Sequence, residues 1–220
     1  MAGMREKILE AAESILGSGG PAEISTRAIA KVAGCSDGAL YKHFESLDEV
    51  LLELFKEKLP TFKALQELPL VVGKRTVEEN LAGVLATGLE FIRAAMPIWI
   101  ALWSDEGLRR AYYERLKEQG GGPHVAILAI SAYLEAEQRL GRVNPDANVA
   151  TSASLVLAAT MQRGTMEKAF KHGWKPTTAM EPLNDRDWAR ATAAALVGGL
   201  RPAVAASRAP RARAPRPRRG

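Results

Sequence analysis

The stretch that decides the fold is residues 26–44, "TRAIAKVAGCSDGALYKHF". It holds two short helical patterns separated by "AGCS". Two helices of about eight residues joined by a short glycine-containing turn form a helix-turn-helix. Gly34 suits the left-handed backbone position at which such a turn reverses the chain. Ser25 or Thr26 is expected to cap the first of these helices, and Ser36 the second.

The second helix of this unit divides into an inner and an outer face. Leu40 and Phe44, four residues apart, are expected to pack inward against Ile29 and Val32. The outer face carries short side chains near the helix start and longer ones at its end: Ser36, Asp37, Ala39, Tyr41, Lys42 and His43. In a major-groove reader, short side chains let the backbone approach base edges and longer ones reach phosphates.

Helices are also predicted on either side of this unit. Residues 5–17 repeat apolar side chains at helical spacing before a glycine-rich break. Ser46, followed three residues later by Glu49, is a capping-box pattern that opens a fourth helix at 47–58. Pro60 ends that helix, and a loop with Pro69 and Gly73 is expected to follow.

The rest of the chain is also helical in pattern, so an all-α fold is predicted. Pro97, "GGGP" at 120–123 and "GRVNP" at 141–145 are expected to separate its helices. The predicted helices are 76–95, 98–104, 106–118, 124–140, 147–171 and 186–200.

Three regions follow from this layout: a helix-turn-helix domain at 1–58, a larger helical domain at 59–204 and a tail at 205–220. The last 20 residues hold seven Arg and no acid, so residues 1–200 carry 23 cationic and 25 acidic side chains. The basic tail is rich in Pro and Arg and is predicted to be disordered. It is either an electrostatic arm for nucleic acid or a solvated tail.

Composition predicts a cytoplasmic protein. The single cysteine, Cys35, rules out a disulfide framework and favours a reducing compartment. No signal peptide is visible, and no apolar run is expected to reach the roughly 20 residues that cross a bilayer.

Catalytic and metal sites are not expected. His43, His124, His172 and Cys35 do not stand at metal-ligand spacings. The glycines of "GGGP" join two helices, and no nucleophile lies in a recognisable elbow. The chain is therefore predicted to be neither an enzyme nor a cofactor-binding protein.

The run from "ILEAAESIL" through "TRAIAKVAGCSDGALYKHF" to "ESLDEVLLEL" resembles the DNA-binding domain of the TetR/AcrR family of transcriptional regulators. The resemblance covers about residues 5–58. It implies an all-helical homodimer with an N-terminal helix-turn-helix and a C-terminal domain that dimerises and binds a small effector. It also implies a repressor that the effector releases from a double-stranded DNA operator.

The resemblance also suggests which residues touch DNA. Thr26 is expected to touch phosphate, and Arg27 to reach a base edge, preferably guanine. Base-facing positions are Asp37, Gly38 and Ala39, with Ser36 before them, and phosphate-facing positions are Tyr41, Lys42 and His43. Structural readings stay open: Arg27 or Lys42 as solvated charges, Tyr41 as a core-edge aromatic, His43 as structural. Asp37 either stabilises the helix start or accepts a hydrogen bond from cytosine.

Two features of the sequence keep an alternative open. Leu47 stands where many family members have a phosphate-binding Lys, and residues 1–60 carry seven Lys and Arg against ten acids. The alternative is a helical small-molecule-binding or protein-interaction module whose helix-turn-helix no longer binds DNA.

The larger domain yields two further sets of candidates. A largely apolar effector pocket between helices is predicted from Phe91, Met96, Trp99, Trp103, Tyr113, Tyr133, Met161, Gln162 and Thr165. Small or apolar residues on the helices at 147–171 and 186–200 predict a four-helix dimer interface, although the same residues could form a monomer core. The dimer candidates are Leu155, Ala159, Trp188, Ala195 and Gly199.

Overall fold

The computed structural model describes residues 3–18, 23–122, 124–171 and 183–200, and the secondary structure in these ranges is helical throughout. The all-α prediction is confirmed. The helices are α1 Met4–Ser18, α2 Thr26–Ala33, α3 Asp37–Leu40, α4 Leu47–Lys58, α5 Lys63–Glu67, α6 Val77–Ser104, α7 Glu106–Glu118, α8 His124–Arg139, α9 Val149–Lys171 and α10 Asp185–Leu200.

The first four helices enclose a small core. Ile8 of α1, Ile29 of α2, Leu40 of α3 and Leu51 of α4 are all completely buried there. Val32 was expected in this core but is 56% exposed. The inner side of α2 is formed by Ile29 and Ala30. Successive residues lie about 100° apart around a helix, so Val32 lies about 60° from Ile29 on the side away from Ala30.

The second helix of the helix-turn-helix is shorter than predicted. Regular helix ends at Leu40 instead of continuing to about Phe44, and turns follow. The Phe44 amide still donates to the Leu40 carbonyl at 3.0 Å, and both side chains remain buried. The Ser46–Glu49 capping box is also absent, because the Glu49 carboxylate accepts from the Glu45 amide at 2.6 Å instead.

The expected loop after α4 is mostly helical. Leu59–Phe62 and Leu68–Leu70 form 3₁₀ turns around α5, each with a proline near its start. Proline is tolerated there because the first helical amides have no intrahelical acceptor. Phe62 and Leu68 from this segment are buried against the larger domain.

Pro97 does not break the chain into two helices: α6 runs through it for 28 residues. The loss of one backbone hydrogen bond at Pro97 is offset by burial of apolar residues on both sides, such as Met96 and Ile98. By length and composition α6 could therefore cross a bilayer, contrary to the sequence expectation. More than half of its apolar stretch is buried inside the fold, as in the core helix of a globular protein.

α6 is the centre of the larger domain, and α9 and α10 pack against it. The approach of α9 is close, because a Cβ on Gly164 would lie 2.7 Å from Ile92 Cγ2. A Cβ on Gly88 would meet the Phe62 ring at 3.2 Å and Thr160 Cγ2 at 3.3 Å. Glycine at these two positions allows the short helix–helix distance.

The N-terminal core is not closed by its own residues. Ile98, Ala101 and Leu102 of α6, together with Tyr112 of α7, belong to the same buried cluster as α1–α4. The boundary proposed at residue 58 therefore stays a prediction, and the two proposed domains share apolar contacts across it. The proposed tail at 205–220 lies outside the described residues.

Candidate nucleic-acid interface

The turn between α2 and α3 has the geometry that the sequence predicts. Gly34 has φ 69°, the left-handed value expected of it. The Cys35 amide donates to the Ala30 carbonyl at 3.0 Å, and the Gly34 amide to the Lys31 carbonyl at 3.4 Å. These two bonds form a Schellman motif, which satisfies the last carbonyls of α2 while the chain reverses.

Both helices of the motif are capped by serine, as expected. Ser25 Oγ accepts from the Ala28 amide at 3.1 Å, and Ser36 Oγ from the Ala39 amide at 3.2 Å. Each cap orients the first turn of its helix. Ser36 is therefore engaged at the start of α3, in the position that the family resemblance suggests for contact with DNA.

A tertiary contact joins the start of α2 to the segment after α3. Thr26 Oγ1 and the Tyr41 hydroxyl lie 3.3 Å apart, within hydrogen-bonding distance. Tyr41 is 53% exposed, so its ring lies outside the core. The structural interpretation of Tyr41 as a core-edge aromatic is wrong. The hydroxyls of Thr26 and Tyr41 lie side by side on the surface.

A groove of about 470 Å³ opens between α2 and the start of α3. Arg27, Lys31 and Asp37 line it, and all three are exposed. Lys31 was not among the site residues predicted from sequence. Its position four residues after Arg27, hence on the same face of α2, is the pattern that could have identified it.

The ion pairs of the first four helices involve other charges than those of the helix-turn-helix. Glu53 of α4 pairs with Arg5 and Lys56, both at 2.5 Å, and these cations hold the pKa of Glu53 below its ordinary value despite partial burial. By contrast, no ion pair within the described residues involves Arg27, Lys31 or Lys42. These three cations are thus exposed without a salt-bridge partner in the described part of the chain, although Asp37 lines the same groove as Arg27 and Lys31.

The remaining predicted contacts differ in environment. Lys42 and His43 are exposed, and a Cβ added to exposed Gly38 would meet no heavy atom within 4 Å. Ala39 is half-buried. Leu47, which replaces the usual Lys, is half-buried and packs against the N-terminal core.

Part of the predicted effector pocket is brought together in the interior. Phe91 and Trp99 of α6 lie 6.1 Å apart between ring centroids, and both contact Phe55 of α4. Phe62 stacks on Phe91 at 5.5 Å, and Tyr112 meets Phe55 edge-to-face at 6.3 Å. We call these five residues the aromatic seam. Phe55 was missing from the prediction because it lies on α4, outside the larger domain, and Phe62 because its segment was expected to be a loop.

Other predicted pocket residues lie elsewhere. Trp103 is 60% exposed, because it points away from the buried side of the last turn of α6, where Ala101 and Leu102 lie, and Tyr113 is also exposed. Gln162 and Thr165 are exposed on α9. The prediction that these four residues line one interior pocket with the others is therefore wrong.

The three remaining pocket candidates belong to the domain core. Met96 and Tyr133 are buried, and Met161 is half-buried against the same cluster. The Tyr133 hydroxyl accepts from Asn80 Nδ2 at 2.9 Å. Burial is the main reason that the pKa of Tyr133 rises to about 12, with the Asn80 bond acting in the opposite direction.

The predicted dimer residues share the outer surfaces of α9 and α10. Leu155 is 51% exposed, and Ala195 and Gly199 are exposed. Ala159 and Trp188 are half-buried. Apolar and small side chains thus remain uncovered on these two helices in the single chain, and the dimer interface stays a prediction.

Comparison with known protein families supports the assignment of the helix-turn-helix. Residues 8–54 match the family described as bacterial regulatory proteins, tetR family. The fatty acid metabolism regulator protein of Bacillus subtilis (strain 168) is 34% identical over 80 residues, which are 36% of this chain and 41% of that protein. The chain thus spans about two fifths of the length of the curated relative it matches.

Solved structures extend the similarity of fold over most of the chain. The transcriptional regulator FadR from Bacillus subtilis, solved with stearoyl-CoA, has a TM-score of 0.64 at 20% identity, covering 89% of this chain and 98% of that one. GusR of Salmonella enterica has a TM-score of 0.64 at 20% identity, covering 90% and 95%. At these identities the likeness is one of fold.

Proposed function

We propose that the chain is a TetR-family regulator and that it acts as a sequence-specific, DNA-binding transcriptional regulator. The observation that carries the proposal is the set of exposed cations on the helix-turn-helix that have no ion-pair partner in the described part of the chain. Arg27, Lys31 and Lys42 are exposed and unpaired within the described residues, while acids of α1 and α4 pair with other cations. Phosphate contacts need such free cations.

Reading of bases is assigned to the start of α3 and to Arg27. The capped turn at Ser36 presents Asp37 and the Gly38 backbone at an exposed surface. Arg27, in the same groove as Asp37, has the length and the bidentate geometry to bind guanine. Thr26, Tyr41, Lys42 and His43 would hold the surrounding phosphates.

We propose further that the active form is a cytoplasmic homodimer joined through α9 and α10. Exposed Leu155 and the exposed small residues of α10 support this, because small side chains permit close helix packing. A dimer would place two α3 helices about 34–36 Å apart, one turn of DNA.

The proposed effector is small and largely apolar, and it releases the repressor by favouring a different spacing of the two α3 helices. A long-chain acyl thioester is the candidate, since the FadR structure of similar fold was solved with stearoyl-CoA. The aromatic seam supports an apolar ligand, because its side chains are aromatic. It also connects Phe55 of α4 to α6 and α7 of the larger domain.

Selection of bound DNA from a random pool, with the full chain at two salt concentrations, tests the proposal. We expect a two-fold symmetric motif, and we expect stearoyl-CoA to release the selected DNA. Sedimentation should give twice the 23.7 kDa of one chain. Recovery of no sequence at low salt would support the alternative, a module whose helix-turn-helix does not bind DNA.

A further inference from the structure

The hydroxyl of Tyr112 is buried without a hydrogen-bond partner among the residues that the structure describes. Only 1% of the Tyr112 surface is exposed. Buried polar groups are paired as a rule, and an unpaired one costs free energy. Burial raises the pKa of the Tyr112 phenol above its ordinary value, so the hydroxyl keeps its proton and can donate it in a hydrogen bond.

The same fold pairs the other buried tyrosine hydroxyl. Tyr133 is 2% exposed, and its oxygen accepts from Asn80 at 2.9 Å. The unpaired state of Tyr112 is therefore a property of its own site on α7. A phenylalanine there would fill the same ring space without the unpaired oxygen.

Tyr112 lies where the helix-turn-helix unit meets the larger domain. Its ring contacts Phe55 of α4 at 6.3 Å and Tyr113 at 5.4 Å, both edge-to-face. Phe55 contacts Phe91 and Trp99 in turn. The hydroxyl thus belongs to an apolar, aromatic neighbourhood shared by α4, α6 and α7.

A surface groove of about 560 Å³ borders the buried cluster to which Tyr112 belongs. Among its lining residues, Ala101 and Leu108 pack in the cluster that contains Tyr112. Its two carboxylates are already engaged: Asp48 Oδ2 accepts from Arg115 Nε at 3.0 Å, and Asp105 Oδ1 from the Leu108 amide at 2.9 Å. They are not free to bind a polar group of a ligand without losing these bonds.

We propose that Tyr112 donates a hydrogen bond to the carbonyl oxygen of the effector, an acyl thioester whose chain packs in the aromatic seam. A neutral carbonyl matches a protonated hydroxyl in apolar surroundings, whereas a carboxylate would carry an uncompensated charge into them. This assignment rests on the proposed effector response and specifies the atom that the effector presents.

Two probes isolate the carbonyl oxygen: stearoyl-CoA and its thioether analogue S-octadecyl-CoA, which lacks that oxygen. Both are titrated into the full-length wild type, Tyr112→Phe and Tyr113→Phe, with calorimetry as the readout. We expect the wild type to bind the thioester roughly five- to tenfold more tightly than the thioether, as one hydrogen bond implies. Tyr112→Phe should lose this preference, and the neighbouring control Tyr113→Phe should keep it.

Thermal unfolding without ligand tests the unpaired hydroxyl separately. Tyr112→Phe should melt at or above the wild-type temperature, because it removes a buried unpaired oxygen. Tyr133→Phe should melt a few degrees lower, because it breaks the bond from Asn80. Equal losses in the two variants would overturn the assignment.

The outcomes separate this inference from the proposed function. If Tyr112→Phe keeps the thioester preference, or if the wild type has none, the role of Tyr112 is refuted while the effector class stands. If the wild type binds neither probe yet still binds its selected DNA, the acyl thioester effector and the inference both fall, and the DNA-binding function stands.

Discussion

Thr26 Oγ1 and the Tyr41 hydroxyl lie 3.3 Å apart, so the first residue of α2 is tied to the residue that follows α3. Fifteen positions separate them in sequence. Neither group is charged, so in the proposed phosphate contacts the pair would orient two hydroxyls without adding to the positive field. If the proposed function holds, the pair keeps two hydrogen-bond donors in one place before DNA binds.

We expect Tyr41→Phe to weaken operator binding by roughly three- to tenfold, the effect of about one hydrogen bond. The salt dependence should stay unchanged, since no cation is lost. Fluorescence anisotropy at several salt concentrations measures both quantities. Tyr113→Phe, an exposed tyrosine on α7, is the control. A changed salt slope for Tyr41→Phe would show that its effect is not the loss of a neutral contact.

The unpaired cations should behave differently from that hydroxyl pair. Lys31→Ala and Lys42→Ala are each expected to weaken binding to all operators alike and to lower the salt slope by about one. Lys7→Ala removes an exposed cation of α1 and should leave the slope unchanged. If all three variants had the same salt slope, Lys31 and Lys42 would not be the residues that contact phosphate.

A substitution at Asp37 distinguishes a contact with a base from stabilisation of the start of α3. If its carboxylate accepts a hydrogen bond from cytosine N4, Asp37→Asn relaxes the preference at one base pair per half-site. Selection from a random pool compares the two proteins position by position. An unchanged motif with a lower melting temperature would instead assign Asp37 to stabilising the start of α3 through the helix dipole.

Gly38 offers a test in which stability and binding move in opposite directions. A Cβ there meets no atom of the free protein within 4 Å, so Gly38→Ala should leave folding intact or stabilise it by up to about 1 kcal/mol. The added methyl group should obstruct approach to the bases and reduce operator affinity at least tenfold. Gly17→Ala on α1, also in open space, should gain the same stability and keep full affinity. Full affinity in Gly38→Ala would move the base contact away from this backbone.

The ion pair between Arg93 of α6 and Asp185 of α10 predicts that stability depends on pH. Arg93 binds Asp185 through two hydrogen bonds of 2.7 and 2.8 Å, and this contact holds the pKa of that carboxyl below its ordinary value. The stabilisation is therefore complete above about pH 4 and is lost as the pH falls through the lower, folded value. Asp185 is half-exposed, so the effect should be below about 1 kcal/mol.

Thermal unfolding of Asp185→Asn against the wild type measures this contribution. The melting temperature of the variant should be lower at pH 7, and the difference should narrow as the pH falls below 4. Asp146→Asn, an exposed acid outside this ion pair, should show no such change. A difference that is constant with pH would mean that the Arg93 contact does not depend on ionisation of Asp185.

Local chemistry explains why the helix-turn-helix could be predicted from sequence. Ser25, Ser36 and Gly34 act on backbone groups within a few residues of themselves, and the structure has each in its expected role. The alternation of buried and exposed positions around Leu40 is likewise a property of a short segment. Where the local rule had a competitor, as at Ser46 and Glu49, the prediction was wrong.

The sequence alone therefore determined the helical class, the capped turn and the outer face of the helix-turn-helix. Tertiary structure decided what depends on distant partners: the continuity of α6 through Pro97, the exposure of Val32 and the addition of Lys31 to the groove with Arg27 and Asp37. It also brought Phe55 and Tyr112, 57 positions apart, into one aromatic seam. Periodicity predicts which side of a helix is apolar, but only packing decides which other helix covers it.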